Sequence, residues 1–208
     1  MTWVDLLGTL AMLGSVLAAL GALVWMLVCA GLRRWGRVRA TARGLGVFVG
    51  CYVVMLGATG LATPRRILAP GVRRWFDDWC VAGLDARPLD PAHAVCDPMA
   101  GTRQWAVTLE VSSDARRVRQ RARDAAAVLE DGAGRRYRPC AAALTAHELP
   151  DELGPGESFR VVEPFRLPAA AVPAGAVVHH GAFPGIMIIG DDQGFLHAPA
   201  LLEVAAAG

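Results

Sequence analysis

The sequence contains no lysine and no asparagine, so all 21 of its basic residues are arginine. A lysine Schiff base, a phosphate-cradling Walker lysine and an N-glycosylation sequon each need one of the missing residues, and all three are excluded. Serine is nearly as scarce. Ser15, Ser112, Ser113 and Ser158 are the only four, and none stands in the Gly-x-Ser-x-Gly setting of a hydrolase nucleophile elbow. Charge is absent from two long stretches, 27 residues from Leu6 to Leu32 and 21 from Gly44 to Pro64.

Both stretches exceed the ~18 apolar residues at which a membrane-spanning helix becomes the default reading. At ~1.5 Å rise per residue they would be about 40 and 31 Å long, enough to cross a ~30 Å hydrocarbon core. A cleaved signal peptide is not expected, because the chain opens Met1-Thr2-Trp3-Val4-Asp5 without a basic residue and its apolar run is about twice the usual length. Val28 precedes Cys29 where a lipoprotein cleavage box carries a small residue, so Cys29 and Cys51 are read as packing residues of the helices.

The expected organisation is a transmembrane helical hairpin over residues 1–64, with helices at about 4–31 and 44–63 joined by a loop at 32–43. A basic juxtamembrane stalk at 65–74 and a β domain at 75–208 follow. The loop holds Arg33, Arg34, Arg37, Arg39 and Arg43 while the segment before the first helix holds no arginine, so the positive-inside rule makes the loop cytoplasmic. The N-terminus and the C-terminal domain are then extracytoplasmic, on a protein that crosses the cell membrane twice. Arg65, Arg66, Arg73 and Arg74 oppose that orientation and are read as contacts to lipid head groups. From Trp75 onward there are 12 Arg against 18 Asp plus Glu, a balance of −6, which removes the electrostatic footprint of a nucleic-acid binder.

In the outward domain, Trp105, Val107, Leu109 and Val111 alternate with polar or small residues at period two, the pattern of a half-buried strand. Strand-like runs also occur at Trp75 to Leu84, Ala125 to Leu129, Ser158 to Leu167, Ala176 to His180 and Ile186 to Ile189, separated by Gly, Pro and Asp clusters. Asp131-Gly132-Ala133-Gly134 reads as a hairpin turn. This spacing favours an all-β, immunoglobulin-like antiparallel sandwich over a helical or βαβ domain.

Five segments carry a resemblance: Phe76-Asp77-Asp78-Trp79-Cys80, Val111-Ser112-Ser113 with the arginines after it, Gly154-Pro155-Gly156-Glu157-Ser158-Phe159, His180-Gly181-Ala182-Phe183-Pro184-Gly185, and Ile188-Ile189-Gly190-Asp191-Asp192. In this order they resemble the uncharacterised bacterial membrane-anchored proteins with an immunoglobulin-like, telokin-like extracytoplasmic domain. The resemblance covers roughly residues 75–204 and implies a β-sandwich and an envelope location. It carries no catalytic residue with it.

Three cysteines lie in the outward domain, Cys80, Cys96 and Cys140, and an oxidising compartment permits three pairings. A bond involving Cys96 is favoured because Cys96 and Cys140 both fall in loop-like sequence; three reduced thiols, with Cys80 buried in a strand, is the competing reading. Asp77, Asp78, Asp191, Asp192, His179, His180 and His197 are the residues that could ligate a metal, yet no EF-hand or His-Glu-x-x-His spacing joins them, so no metal or cofactor is expected. Arg117, Arg119, Arg121 and Arg123 would project from one face of an extended strand and could hold an acidic partner or lipid head group, although a solvated strand face is the plainer account. Phe183, in a Gly/Pro loop, is either an exposed contact residue or, as favoured, folded over the core.

The expected function is a membrane-anchored envelope protein presenting a binding or assembly module, not an enzyme, with the lipid bilayer and an envelope protein as partners and homo-oligomers allowed. A first alternative is an accessory subunit recognised through its two helices, whose glycines include the small-xxx-small pair Gly46 and Gly50. A second, much weaker, is a metal-assisted extracytoplasmic hydrolase.

Overall fold

The structure is a computed structural model, and it describes residues 3–76, 78–122, 125–180, 187–188 and 196–206. They divide into two compact units, Met1–Arg65 with Ala182–Ala198, and Arg66–Gly181 with Pro199–Gly208.

The first unit contains helices α1 (Trp3–Gly31) and α2 (Trp35–Ala62). Leu and Ala supply high helix propensity, and no proline interrupts either run. The turn between the helices is a Schellman closure, in which Arg34 N–H donates to Cys29 O at 2.8 Å and Arg33 N–H to Ala30 O at 2.9 Å. Arg33 takes the left-handed position at φ 53°, where glycine is usual. α2 ends because Thr63 precedes Pro64, whose ring disfavours helical backbone at the residue before it. Hydroxyls along the helices fold back on their own carbonyls, Ser15 onto Ala11 at 2.7 Å and Thr59 onto Met55 at 2.9 Å. The connection is therefore the three residues 32–34 and not the twelve at 32–43. Arg37, Arg39 and Arg43 end the uncharged run but are good helix formers, so α2 starts nine residues earlier than residue 44.

The second unit is a β-sandwich. Its strands are β1 (Ile67–Leu68), β2 (Arg74–Phe76), β3 (Trp79–Pro88), β4 (Thr102–Ser113), β5 (Gln120–Arg121), β6 (Ala126–Asp131), β7 (Arg136–Tyr137), β8 (Glu152–Leu153), β9 (Ser158–Pro168), β10 (Pro173–His179), β11 (Leu201–Glu203) and β12 (Ala205–Ala206). One sheet runs β1-β11-β10-β6-β7 and the other β12-β3-β4-β9, with β2 also on β3; β5 and β8 form a separate pair. The expected stalk at 65–74 thus holds β1 and the first residue of β2: between its two arginine pairs Ile67 and Leu68 pair with β11, and Arg74 pairs with Val81. The expected strand at Ile186 to Ile189 is absent at Met187 and Ile188, which belong to the helical unit instead.

Period-two patterning explains the core. Trp105, Val107, Leu109 and Val111 of β4 stand on one face, opposite Phe165, Glu163, Val161 and Phe159 of β9, and meet Ala127, Leu129, Ala176 and Val178 from the other sheet. A register shift between Gly83 and Asp85 changes the parity of β3, so Val81 and Ala86 both reach this core. At Gly83 the C-terminal strand passes so near that a Cβ would lie 2.7 Å from the Glu203 carbonyl oxygen, and Gly175 meets the Leu202 carbonyl at 2.5 Å. Only glycine allows that approach.

Candidate functional site

The residues most closely assembled around chemistry-bearing side chains lie where the β2–β3 hairpin meets the end of β10. The pairing of β2 with β3 sets Phe76 opposite Trp79, and their rings stack with centroids 4.5 Å apart. His180 stands edge-on to both, at 5.9 and 5.1 Å. The Arg74 guanidinium lies 4.5 Å from the Phe76 ring centre and donates to the Val178 carbonyl at 3.1 Å. Arg74 is only 4% exposed, so it is a structural cation of the sandwich and not the lipid contact expected of it. Next to it, His179 has its pKa lowered by burial, then by Arg136 and Arg74, which favours the neutral imidazole.

Cys80 is buried on the opposite face of β3 from Val81, its Sγ 2.9 Å from the Ser112 hydroxyl. Burial pushes the thiol pKa up against the Ser112 hydrogen bond and the Arg73 charge, and a thiol held protonated is a weak nucleophile. Cys96 and Cys140, 44 positions apart in sequence, form a disulfide with Cα atoms 5.5 Å apart. Around it, the Gln104 side-chain oxygen accepts from Val95 and Cys96 N–H, each at 3.1 Å, and its amide donates to the Cys96 carbonyl at 2.8 Å.

Among the described residues, Arg117, Arg119 and Arg121 do not form a ladder. β5 is only two residues long, Arg117 lies exposed in a bend before it, and Arg123 lies outside the described residues. Arg119 pairs with Glu152 at 3.5 Å and Arg121 donates to the Pro150 carbonyl at 3.2 Å. A run of alternating arginines supports a strand only if neighbouring strands exist to pair with it along its length, and here β8 offers two residues. Asp77, Phe183, Asp191 and Asp192 lie outside the described residues too. Among the described residues no three His, Cys, Asp or Glu side chains converge as metal ligands; Asp78 accepts from the Gln120 amide at 3.1 Å.

Two buried carboxylates stand out, one in a turn legible in the sequence and one not. Asp131 opens the β6–β7 hairpin, and burial, its largest influence, would raise its pKa. The Arg135 and Ala133 N–H groups, the Tyr137 hydroxyl and the Arg135 guanidinium outweigh that and lower it to about 2. Glu163 instead sits in the core-facing row of β9 opposite Val107, where burial and then Glu148 raise its pKa. The Asp-Gly-x-Gly motif signalled the first; nothing local signals the second.

No family model matches the chain, and no curated protein matches it. Among solved structures, a secreted protein of Mycobacterium tuberculosis is 16% identical with a TM-score of 0.42, covering 58% of this chain and 93% of its own. A β-sandwich protein of Clostridium difficile is 8% identical with a TM-score of 0.35, covering 57% of this chain and 89% of its own.

Proposed function

We propose that the chain is a membrane-anchored envelope protein whose two helices hold an extracytoplasmic, immunoglobulin-like sandwich as a binding or assembly module. The observation that carries this reading is where apolar side chains are left uncovered. On helices of 29 and 28 residues, Leu27 of α1 is 73% exposed and Val54 of α2 71%, whereas the sandwich encloses a core in which Leu109, Leu129 and Phe165 are fully buried. Surface of that kind on both helices calls for hydrocarbon as solvent. Arg33, Arg34, Arg37, Arg39 and Arg43 at the turn end of the helices support a cytoplasmic side for that end.

Val118 is exposed on the sandwich and suits the test, since the native Cys80 is buried. In intact cells a membrane-impermeant maleimide is expected to label Val118→Cys. Labelling only after permeabilisation would sink the orientation. The subunit reading is favoured by Gly46 and Gly50, where an added Cβ would meet no atom within 4 Å, leaving a face of α2 open to another helix. Exchanging both helices for an unrelated anchor separates the two readings, because a module keeps its partner and a helix-recognised subunit loses it.

A further inference from the structure

At the turn between α1 and α2, charge and apolar surface are divided between the two helices. The three-residue connection 32–34 makes the helices antiparallel neighbours, and burial marks their seam, with Cys29 buried and Met26, Val38, Thr41 and Leu45 half-buried. Residues equally far from the turn are therefore level with one another. Arg43 lies eight residues past Trp35, about 12 Å along the axis at ~1.5 Å per residue, and over that length α2 carries Arg37, Arg39 and Arg43. Level with them, α1 runs from Leu23 to Gly31 without a charge and leaves Leu23, Val24, Leu27 and Val28 exposed. Between Asp5 and Asp77 the sequence holds nine arginines and no acidic residue. Among the described residues, no ion pair or side-chain hydrogen bond engages Arg33, Arg34, Arg37, Arg39 or Arg43.

We propose that the turn end of the hairpin binds anionic phospholipid in preference to zwitterionic lipid, with phosphate oxygens accepting from the Arg37, Arg39 and Arg43 guanidinium groups and acyl chains lying against Leu23, Val24, Leu27 and Val28. This preference rests on the anchoring reading above and adds a chemical selectivity to it. Two exposed tryptophans mark the depth. Trp25 is six residues from the end of α1 and Trp35 opens α2, so their levels are about 9 Å apart, and indole rings favour the head-group layer. Arg37 and Arg39 fall between those levels, and Arg43, two residues deeper, reaches the layer with its long side chain. Arg39 and Arg43 are one turn apart on the side of α2 away from the seam, a spacing that lets both meet one head group. A water-soluble polyanion would satisfy these arginines and leave the apolar side chains of α1 against water, whereas an anionic phospholipid matches both. A zwitterionic lipid carries its own cation beside the phosphate, which competes with the arginines for it.

The test uses the full chain in phosphatidylcholine vesicles containing a trace of spin-labelled phosphatidylglycerol or spin-labelled phosphatidylcholine. The motionally restricted fraction of each electron spin resonance spectrum gives the association of that lipid with the protein. Labelled phosphatidylglycerol is expected to associate several-fold more strongly than labelled phosphatidylcholine. The triple change Arg37→Gln, Arg39→Gln and Arg43→Gln should bring the two lipids to parity, while Arg116→Gln with Arg117→Gln, exposed on the sandwich, should keep the preference. Each single change on α2 is expected to remove part of the preference, which keeps the test open should the triple variant not reconstitute. Equal association of both lipids with the native chain overturns the anionic-lipid surface and leaves the anchor standing. A preference that survives the changes on α2, or is lost with Arg116 and Arg117 instead, overturns it as well. No restricted component from either lipid overturns the anchor, and the lipid surface with it.

Discussion

The two units use the same side chains in opposite ways. Leu17 and Leu27 on α1 and Val54 and Leu61 on α2 point outward and stay uncovered, while Val81, Val107, Leu109 and Val161 in the sandwich are fully buried. Hydrophobicity alone therefore says little about burial; period decides it. A strand hides every second residue against a facing sheet, so its apolar positions alternate with polar ones. From Leu6 through α1, and from Gly44 onward in α2, the helices are apolar all round, with no polar face to give to water.

Substitutions sharpen that contrast. Phe165→Ala, in the centre of the sandwich, is expected to cost ~3–5 kcal/mol, whereas Val54→Ala on the helix should cost under ~0.5, measured by denaturation of the detergent-solubilised chain. Reversing the polarity reverses the ranking. Val54→Arg should oppose membrane insertion by ~2.5–3.5 kcal/mol and release the protein on alkaline extraction; Val118→Arg, on the sandwich surface, should leave extraction unchanged. Breaking the Cys96–Cys140 bond by replacing both cysteines should lower sandwich stability by ~2–4 kcal/mol and leave helix insertion intact, read as thermal melting against membrane retention.

Smaller effects separate the two buried carboxylates. Asp131, lowered to about 2, contributes stability that is complete above its ordinary value of 3.8 and is lost as pH falls through about 2. Glu163 is raised, so the folded state binds its proton more tightly than the unfolded chain, and stability falls as pH climbs from 4.5 through the raised value. Denaturation midpoints across pH should show Asp131→Asn flattening the acid limb and Glu163→Gln removing the decline above 4.5 while stabilising the protein at neutral pH.

The uncharged runs, the β4 pattern and the Asp131 hairpin were legible in the sequence because each is a local property of a few neighbouring residues. The start of α2 was not, because helix propensity continues through Arg37, Arg39 and Arg43 where hydrophobicity stops. The strand expected for the arginines after Ser113 failed for want of a neighbour, which no local pattern reports. The Arg74, Phe76, Trp79 and His180 cluster draws on residues a hundred positions apart, and only the pairing of β2 with β3 and the course of β10 bring them together.

The C-terminal strand has a consequence for biogenesis. β11 completes one sheet and β12, two residues later, completes the other, with Leu202 and Val204 contributing to the core between them. Synthesis delivers this clasp after every strand it joins, whereas α1 and α2 emerge first. Membrane insertion and sandwich closure are thus separated in time by the translation of about 140 residues. Under the proposed orientation, the strands cross the membrane uncovered during that interval, and a domain that folded first in the cytoplasm would be too late for export.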